Sequence, residues 1–95
     1  MVLREVYVEG HSMIPTYAPG DRVLLRRRLR RPRVGDVVAI DNPLGVGEIL
    51  KRVVAVRDGH VELRGDHEAV SVDSRDFGLV RSRSIRWRVV RRDLR

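Results

Sequence analysis

Residues 49–64 read ILKRVVAVRDGHVELR. Two short apolar runs rich in valine flank an Asp-Gly pair, and that dipeptide takes up the backbone angles of a two-residue hairpin turn more readily than most. Runs of this length bounded by turn residues mark strands and not helices, so the stretch predicts a hairpin pairing Ile49 to Val56 with His60 to Arg64. Outward from it, similar runs occur at Arg4 to Val8, Arg22 to Arg27, Asp36 to Ile40 and Ser84 to Arg91. Gly20-Asp21, Gly35-Asp36 and Gly65-Asp66 each stand beside a strand, where turn geometry is their expected role. Asp66 to Phe77 lacks sustained apolar periodicity and reads as a structured loop with room for one helical turn. The expected fold class is all-β, a small antiparallel domain, with residues 1–95 forming one unit.

Composition narrows the chemistry. At 42% hydrophobic and 35% charged residues the chain can fold, although only four aromatics are present to anchor a core. Absence of cysteine removes disulfides, thiolate metal sites and cysteine catalysis. No run of about 18 apolar residues occurs, and MVLREVYVEG is charged by its fourth residue, so neither a membrane span nor a signal peptide is expected. A soluble protein, cytoplasmic or peripherally membrane-associated, is the corresponding expectation. The net charge of +7 is densest in RRRLRRPR, Arg26 to Arg33. That stretch has no interleaved aromatics for base stacking, so nucleic acid is not the expected partner, whereas an anionic membrane surface is compatible with it. Its ordinary reading is a solvated strand end and loop.

Of the 20 basic residues, 19 are arginine and one is lysine, Lys51. Arginine is effectively never deprotonated, whereas a buried lysine can lose its proton, so Lys51 alone among them can act as a base. Strand alternation places it on the face of Ile49, Val53 and Ala55, with Arg52 pointing the other way. Acting near neutrality requires lowering its pKa by roughly three units from about 10.4, which burial against an apolar face can supply. The ordinary alternative is a lysine whose head snorkels to water.

Ser12 lies in GHSMIPTYAPGD, with Gly10 before it and Pro15 after it, so the chain turns sharply there. Such a turn exposes a hydroxyl beside a backbone N–H, and acyl transfer needs both, the N–H to hold the oxyanion formed on attack. The third notable stretch, RGDHEAVSVDSRDFG, packs Asp66, Ser71, Asp73, Ser74 and Arg75 into ten positions. Singly, Ser12 reads as a turn residue and this stretch as a polar loop.

In order, the three segments resemble the type I signal peptidase family. Its members carry S-M-x-P-T followed by G-D, then K-R in a strand, then G-D-N-x-x-x-S-x-D-S-R-x-x-G. The matches here are Ser12-Met13-Ile14-Pro15-Thr16 with Gly20-Asp21, Lys51-Arg52, and Gly65-Asp66-His67 through Ser71, Asp73-Ser74-Arg75 and Gly78. The resemblance implies a β fold of the signal peptidase and LexA type and a serine endopeptidase that needs no cofactor. It assigns Ser12 as nucleophile, Lys51 as general base and Ser71 as the hydroxyl that orients the amine. Met13 would shape the pocket for small substrate residues, while Arg52, Asp66, Asp73 and Arg75 would hold the site through ion pairs. The implied partner is a protein or peptide carrying a leader.

This sequence departs from the pattern at Gly10, where some members supply a serine or threonine hydroxyl to the oxyanion, and at His67, where asparagine is usual. Neither an anchor nor a large accessory insert is expected from the sequence, and in this it resembles the small proteases that mature nickel-type superoxide dismutase. A LexA-like self-cleaving domain and a non-catalytic basic binding module are the competing readings. A histidine base is disfavoured, since His11 adjoins Ser12 in the chain, His60 follows a hairpin turn and His67 lies in a polar loop. No pair of histidines has metal-site spacing with a nearby acid, so no catalytic metal is expected.

Overall fold

The structure is a computed structural model describing residues 2–92, so both ends of the 1–95 unit, Met1 and residues 93–95, lie outside the described residues. Valine-rich runs pair as expected. The strands are β1 (Leu3–Tyr7), β2 (Arg22–Arg27), β3 (Val37–Asp41), β4 (Glu48–Arg57), β5 (His60–Arg64), β6 (Val80–Arg81) and β7 (Trp87–Arg92). All pairings are antiparallel in a single sheet of order β1-β2-β7-β3-β4-β5-β6. The β4–β5 turn has positive φ at both Asp58 (51°) and Gly59 (73°), the geometry that Asp-Gly favours.

β3 occupies the middle of the sheet and its residues Val37 to Ile40 are buried. Consecutive strand residues point to opposite faces, so β3 feeds two small cores. Val38 and Ile40 pack with Val53, Val61, Leu63 and Ile85, while Ala39 packs with Val8, Val23 and Leu25. Lys51 is paired directly with Val38 and Ile49 with Ile40, which sets the lysine on the first of these faces.

Two local features, a bulge in β4 and the short strand β6, differ from the sequence expectation, while the helical turn allowed for between Asp66 and Phe77 is present. β4 changes register against β5 between Val53 and Ala55, so Val53 opposes Leu63 but Ala55 opposes Glu62. The bulge turns Ala55 away from the face of Lys51 and Val53, because one extra residue inverts the alternation beyond it. Residues 74–77 form a short helix, α1 (Ser74–Phe77), started by a capping box in which Asp73 and Asp76 bond each other's backbone N–H groups. β6 is two residues long and pairs with the start of β5, too short for any periodic signal.

β1 ends the sheet with β2 on one side only, and β4 pairs with β5 only from Arg52 onward. The sheet curls so that these two open edges approach, and the Arg4 guanidinium meets Glu48 at 2.6 Å across the seam while stacking over Trp87 at 4.6 Å. Among the described residues no helix is long and apolar enough to cross a membrane.

The first core is small, so losing one large side chain from it is costly. Leu63→Ala is expected to lower unfolding free energy by about 2–5 kcal/mol, read as a reduced urea midpoint at unchanged slope.

Candidate active site

The loop from β1 to β2 is closed at its base by two backbone bonds, Val8 N–H to Asp21 O and Gly20 N–H to Val8 O, both 2.8 Å. Within it Gly10 has φ +74°, the Ile14-Pro15 bond is cis, and the Tyr17 N–H bonds Met13 O at 2.9 Å. Met13 is only 2% exposed and pins the loop, leaving the neighbouring Ser12 half-buried at the surface. Neither the backbone N–H nor the hydroxyl of Ser12 makes a hydrogen bond among the described residues.

The Ser12 carbonyl accepts the His67 N–H at 2.8 Å, tying this loop to the segment after β5. Thr16 Oγ1 donates to Asp66 Oδ2 at 2.5 Å, and Arg52 grips the same carboxylate bidentately at 2.8 and 2.9 Å while reaching Gly35 O at 2.8 Å. Arg52 holds the Asp66 carboxyl below its usual pKa against the effect of burial, with Thr16 helping. One carboxylate therefore joins the serine loop, β4 and the β5 exit.

Gly65 explains how closely these parts meet. A Cβ built on it would lie 2.6 Å from Ser12 O and would also overlap the Ser71 hydroxyl. Its φ is not in the left-handed region, unlike Gly20 at +88° and Gly35 at +98°, so close approach and not turn geometry requires glycine here. In this respect Gly65 differs from the other two Gly-Asp pairs.

Lys51 is 3% exposed and its Nζ donates to Ser71 Oγ at 3.1 Å. Burial is the largest influence on the amine and pushes its pKa down; the Asp73 charge works against that, and the Arg75 charge adds to it. Ser71 Oγ also accepts the Gly65 N–H at 3.1 Å and donates to Asp73 Oδ2 at 2.9 Å. No hydrogen bond joins Ser12 Oγ to Lys51 Nζ among the described residues.

Asp73 is fully buried. Burial alone would raise its pKa, and is the largest single influence. Arg75 Nε and Nη2 at 2.9 and 3.0 Å, the Gly65 N–H at 3.1 Å, the Ser71 hydroxyl and the Arg75 N–H at 3.1 Å together outweigh it and hold the carboxyl well below the usual range. Arg75 Nη2 also donates to Glu68 O at 2.8 Å. The ion pairs are thus Arg52 with Asp66 and Arg75 with Asp73.

All the residues singled out in the sequence fall in one region or its supports. Gly10, Ser12 and Met13 line a groove of about 610 Å³ with Val8, Glu48 and Ile49, running along the seam between β1 and β4. Thr16, Gly65 and Asp76 also hold the site. All three lie inside the quoted motifs, but nothing in their residue types marked them as more than loop.

A carboxylate with depressed pKa contributes stability that is present above its unfolded pKa of about 3.9 and is lost as pH falls toward the folded value. Asp73→Asn is therefore expected to lower unfolding free energy at pH 7 by about 2–3 kcal/mol, less than for a fully buried pair because Arg75 is partly solvated. In urea melts the gap from wild type should narrow as pH drops below about 4. Gly65→Ala should disrupt the junction more than Gly20→Ala does.

Comparison with known proteins identifies the family of the chain. The profile of the family described as "Signal peptidase, peptidase S26" matches residues 1–64. The chain is 34% identical over 111 residues to the mitochondrial ATP-independent inner membrane protease subunit 1b of Arabidopsis thaliana, covering 88% of this chain and 66% of that protein. It is 32% identical over 108 residues to the mitochondrial inner membrane protease subunit 2 of Schizosaccharomyces pombe (strain 972 / ATCC 24843), covering 87% of this chain and 60% of that one. The chain thus spans somewhat under two thirds of the length of these relatives. On the family profile and both relatives, the chain belongs to the signal peptidase family, peptidase S26.

Proposed function

We propose that this chain is a serine endopeptidase that removes a leader or propeptide, with Ser12 as nucleophile and Lys51 as general base, the catalytic unit being the single β domain. The observation that carries the reading is the environment of Lys51, a buried amine with lowered pKa whose one hydrogen-bond partner among the described residues is the Ser71 hydroxyl.

The polarity of that bond follows from Asp73. A hydroxyl has one proton, and Ser71 gives its proton to an ionised carboxylate, so its oxygen can only accept from Lys51. A neutral amine that donates one N–H to Ser71 keeps its lone pair for another partner. In the proposed reaction that partner is the Ser12 hydroxyl. Ser12 Oγ attacks the scissile carbonyl while Lys51 Nζ takes the proton, and the oxyanion settles on the uncommitted Ser12 N–H. As the C–N bond breaks, the Lys51 ammonium returns that proton to the leaving amine. Water, deprotonated by the same amine, then hydrolyses the acyl-enzyme. Contacts of this kind commonly tighten only once substrate is bound, which fits the unbonded Ser12 hydroxyl.

The groove suits an extended peptide. Its walls are the open edges of β1 and of Glu48 to Leu50, which offer main-chain groups to a third strand. Buried Met13 restricts space beside Ser12, consistent with small residues before the cleaved bond. Glycine at position 10 supplies no hydroxyl, so the Ser12 N–H takes the larger share of the oxyanion.

Cleavage of leader peptides with small residues before the bond tests the proposal. Ser12→Ala and Lys51→Arg should each lose on the order of a hundredfold or more in kcat while remaining folded. Ser71→Ala should lower kcat more than it alters KM. The rising limb of the pH–rate profile should lie below the ordinary lysine value of about 10.4. Activity surviving Lys51→Arg would overturn the mechanism, since arginine keeps the charge but cannot accept the proton.

A further inference from the structure

Charge is unevenly distributed along this chain. Residues 22–35 contain seven arginines and residues 77–92 contain six, and neither stretch has an acidic residue. The rest of the sequence holds all 13 acids. The two basic stretches are brought side by side by β2 and β7, which pair with Arg26 opposite Arg88 and Arg27 opposite Trp87.

At one end of this region two adjoining hollows share Arg31 and Arg83. One, of about 330 Å³, is completed by Gly59, His60 and Arg81. The other, of about 280 Å³, is completed by Arg28, Leu29 and Arg30. The linings come from three separate segments: the loop after β2, the β4–β5 turn with the first residue of β5, and the end of β6 with the stretch after it. Arg31, Arg81 and Arg83 are exposed and make no ion pair among the described residues. The loop that carries Arg31 is nevertheless well fixed, and Arg81 belongs to β6. Arg30 is held by Asp36 at 3.0 and 3.2 Å, the Arg33 N–H donates to the same carboxylate at 2.9 Å, Gly35 N–H bonds Val53 O at 2.9 Å, and Pro32 is buried. Leu29, between Arg28 and Arg30, is 76% exposed.

We infer that this face is a docking surface for an anionic lipid bilayer, with Arg31, Arg81 and Arg83 taking headgroup phosphates and Leu29 entering the headgroup–acyl boundary. Unpaired guanidiniums on a fixed loop, on β6 and on the turn after it supply the charge complement of phosphate oxygens. An exposed leucine flanked by arginines adds the apolar contact that a purely electrostatic surface lacks. No Phe, Tyr or Trp lines either hollow, and His60 stands alone among arginines, so the run of aromatics on which successive bases of a single strand stack is missing. The His60 end of the hairpin lies six β4 residues beyond Lys51, about 20 Å at the strand rise. Docking there leaves the β1–β4 groove uncovered.

Co-sedimentation of the full chain with vesicles tests this. Binding is expected to vesicles of phosphatidylglycerol mixed with phosphatidylcholine and not to phosphatidylcholine alone, with release as salt is raised. Arg83→Gln should weaken binding about fivefold and Arg31→Gln/Arg83→Gln about twentyfold. Arg64→Gln, which removes equal charge where Glu62 and Glu68 neutralise it, should change binding by less than about twofold. Leu29→Ser should weaken vesicle binding further. All four positions are at the surface, and unchanged urea midpoints confirm that each variant is folded. Equal losses for Arg64→Gln and Arg83→Gln would overturn the site in favour of bulk charge. Saturable binding of pyrophosphate that strips the protein from vesicles would reassign it to a free phosphate ligand. Tighter binding to a single-stranded RNA oligonucleotide than to vesicles at the same salt would overturn the lipid assignment.

Discussion

A carboxylate without solvent-exposed surface sits where the last turn of the site folds back on the sheet, and its charge has to be met by protein alone. Taking such an ion out of water costs several kcal/mol unless hydrogen bonds replace the lost hydration. Asp73 receives them from the Arg75 side chain and backbone, Gly65 and Ser71, and from the Asp76 N–H in the capping box. Each donor is thereby fixed in place. The β5 exit is held at Gly65, the start of α1 at Arg75, and the Ser71 hydroxyl is given one sense of donation. The amine of Lys51 inherits its orientation from a group that it does not touch.

The serine side is joined to this arrangement through the backbone. Ser12 presents its carbonyl to the His67 N–H, and the bare Cα of Gly65 lets the two main chains come together. Asp66 repeats the principle one residue later, bringing Thr16 of the serine loop and Arg52 of β4 onto a single carboxylate. Among the described residues the hydroxyl of Ser12 has no hydrogen-bond partner, while the residues around it are committed. If Ser12 is the nucleophile proposed above, rigid surroundings of this kind are the preorganisation that acyl transfer exploits.

Much of this was legible in the sequence, for identifiable reasons. Valine-rich runs around Asp58-Gly59 determine the hairpin because only a few dipeptides accept positive φ twice. A lone lysine among 19 arginines directs attention to β4, where the structure buries that amine against Ser71. The face of Ala55 was not legible, because a bulge leaves no mark on a run of similar residues. Nor was the reason for Gly65, since a glycine required for close approach looks the same as one required for a turn. The capping box of α1 was written in Asp73 and Asp76, but four residues are too few for periodicity to reveal.

Lys51 is the one side-chain amine in the protein. A single isotopically labelled lysine would report on one position and no other. Its resonance would follow the protonation of that amine directly, with no need to deconvolute signals from neighbours. Few proteins of this charge offer so quiet a background: the guanidiniums that dominate the surface are invisible to such a label, and the amine at the centre of the site is all that it sees.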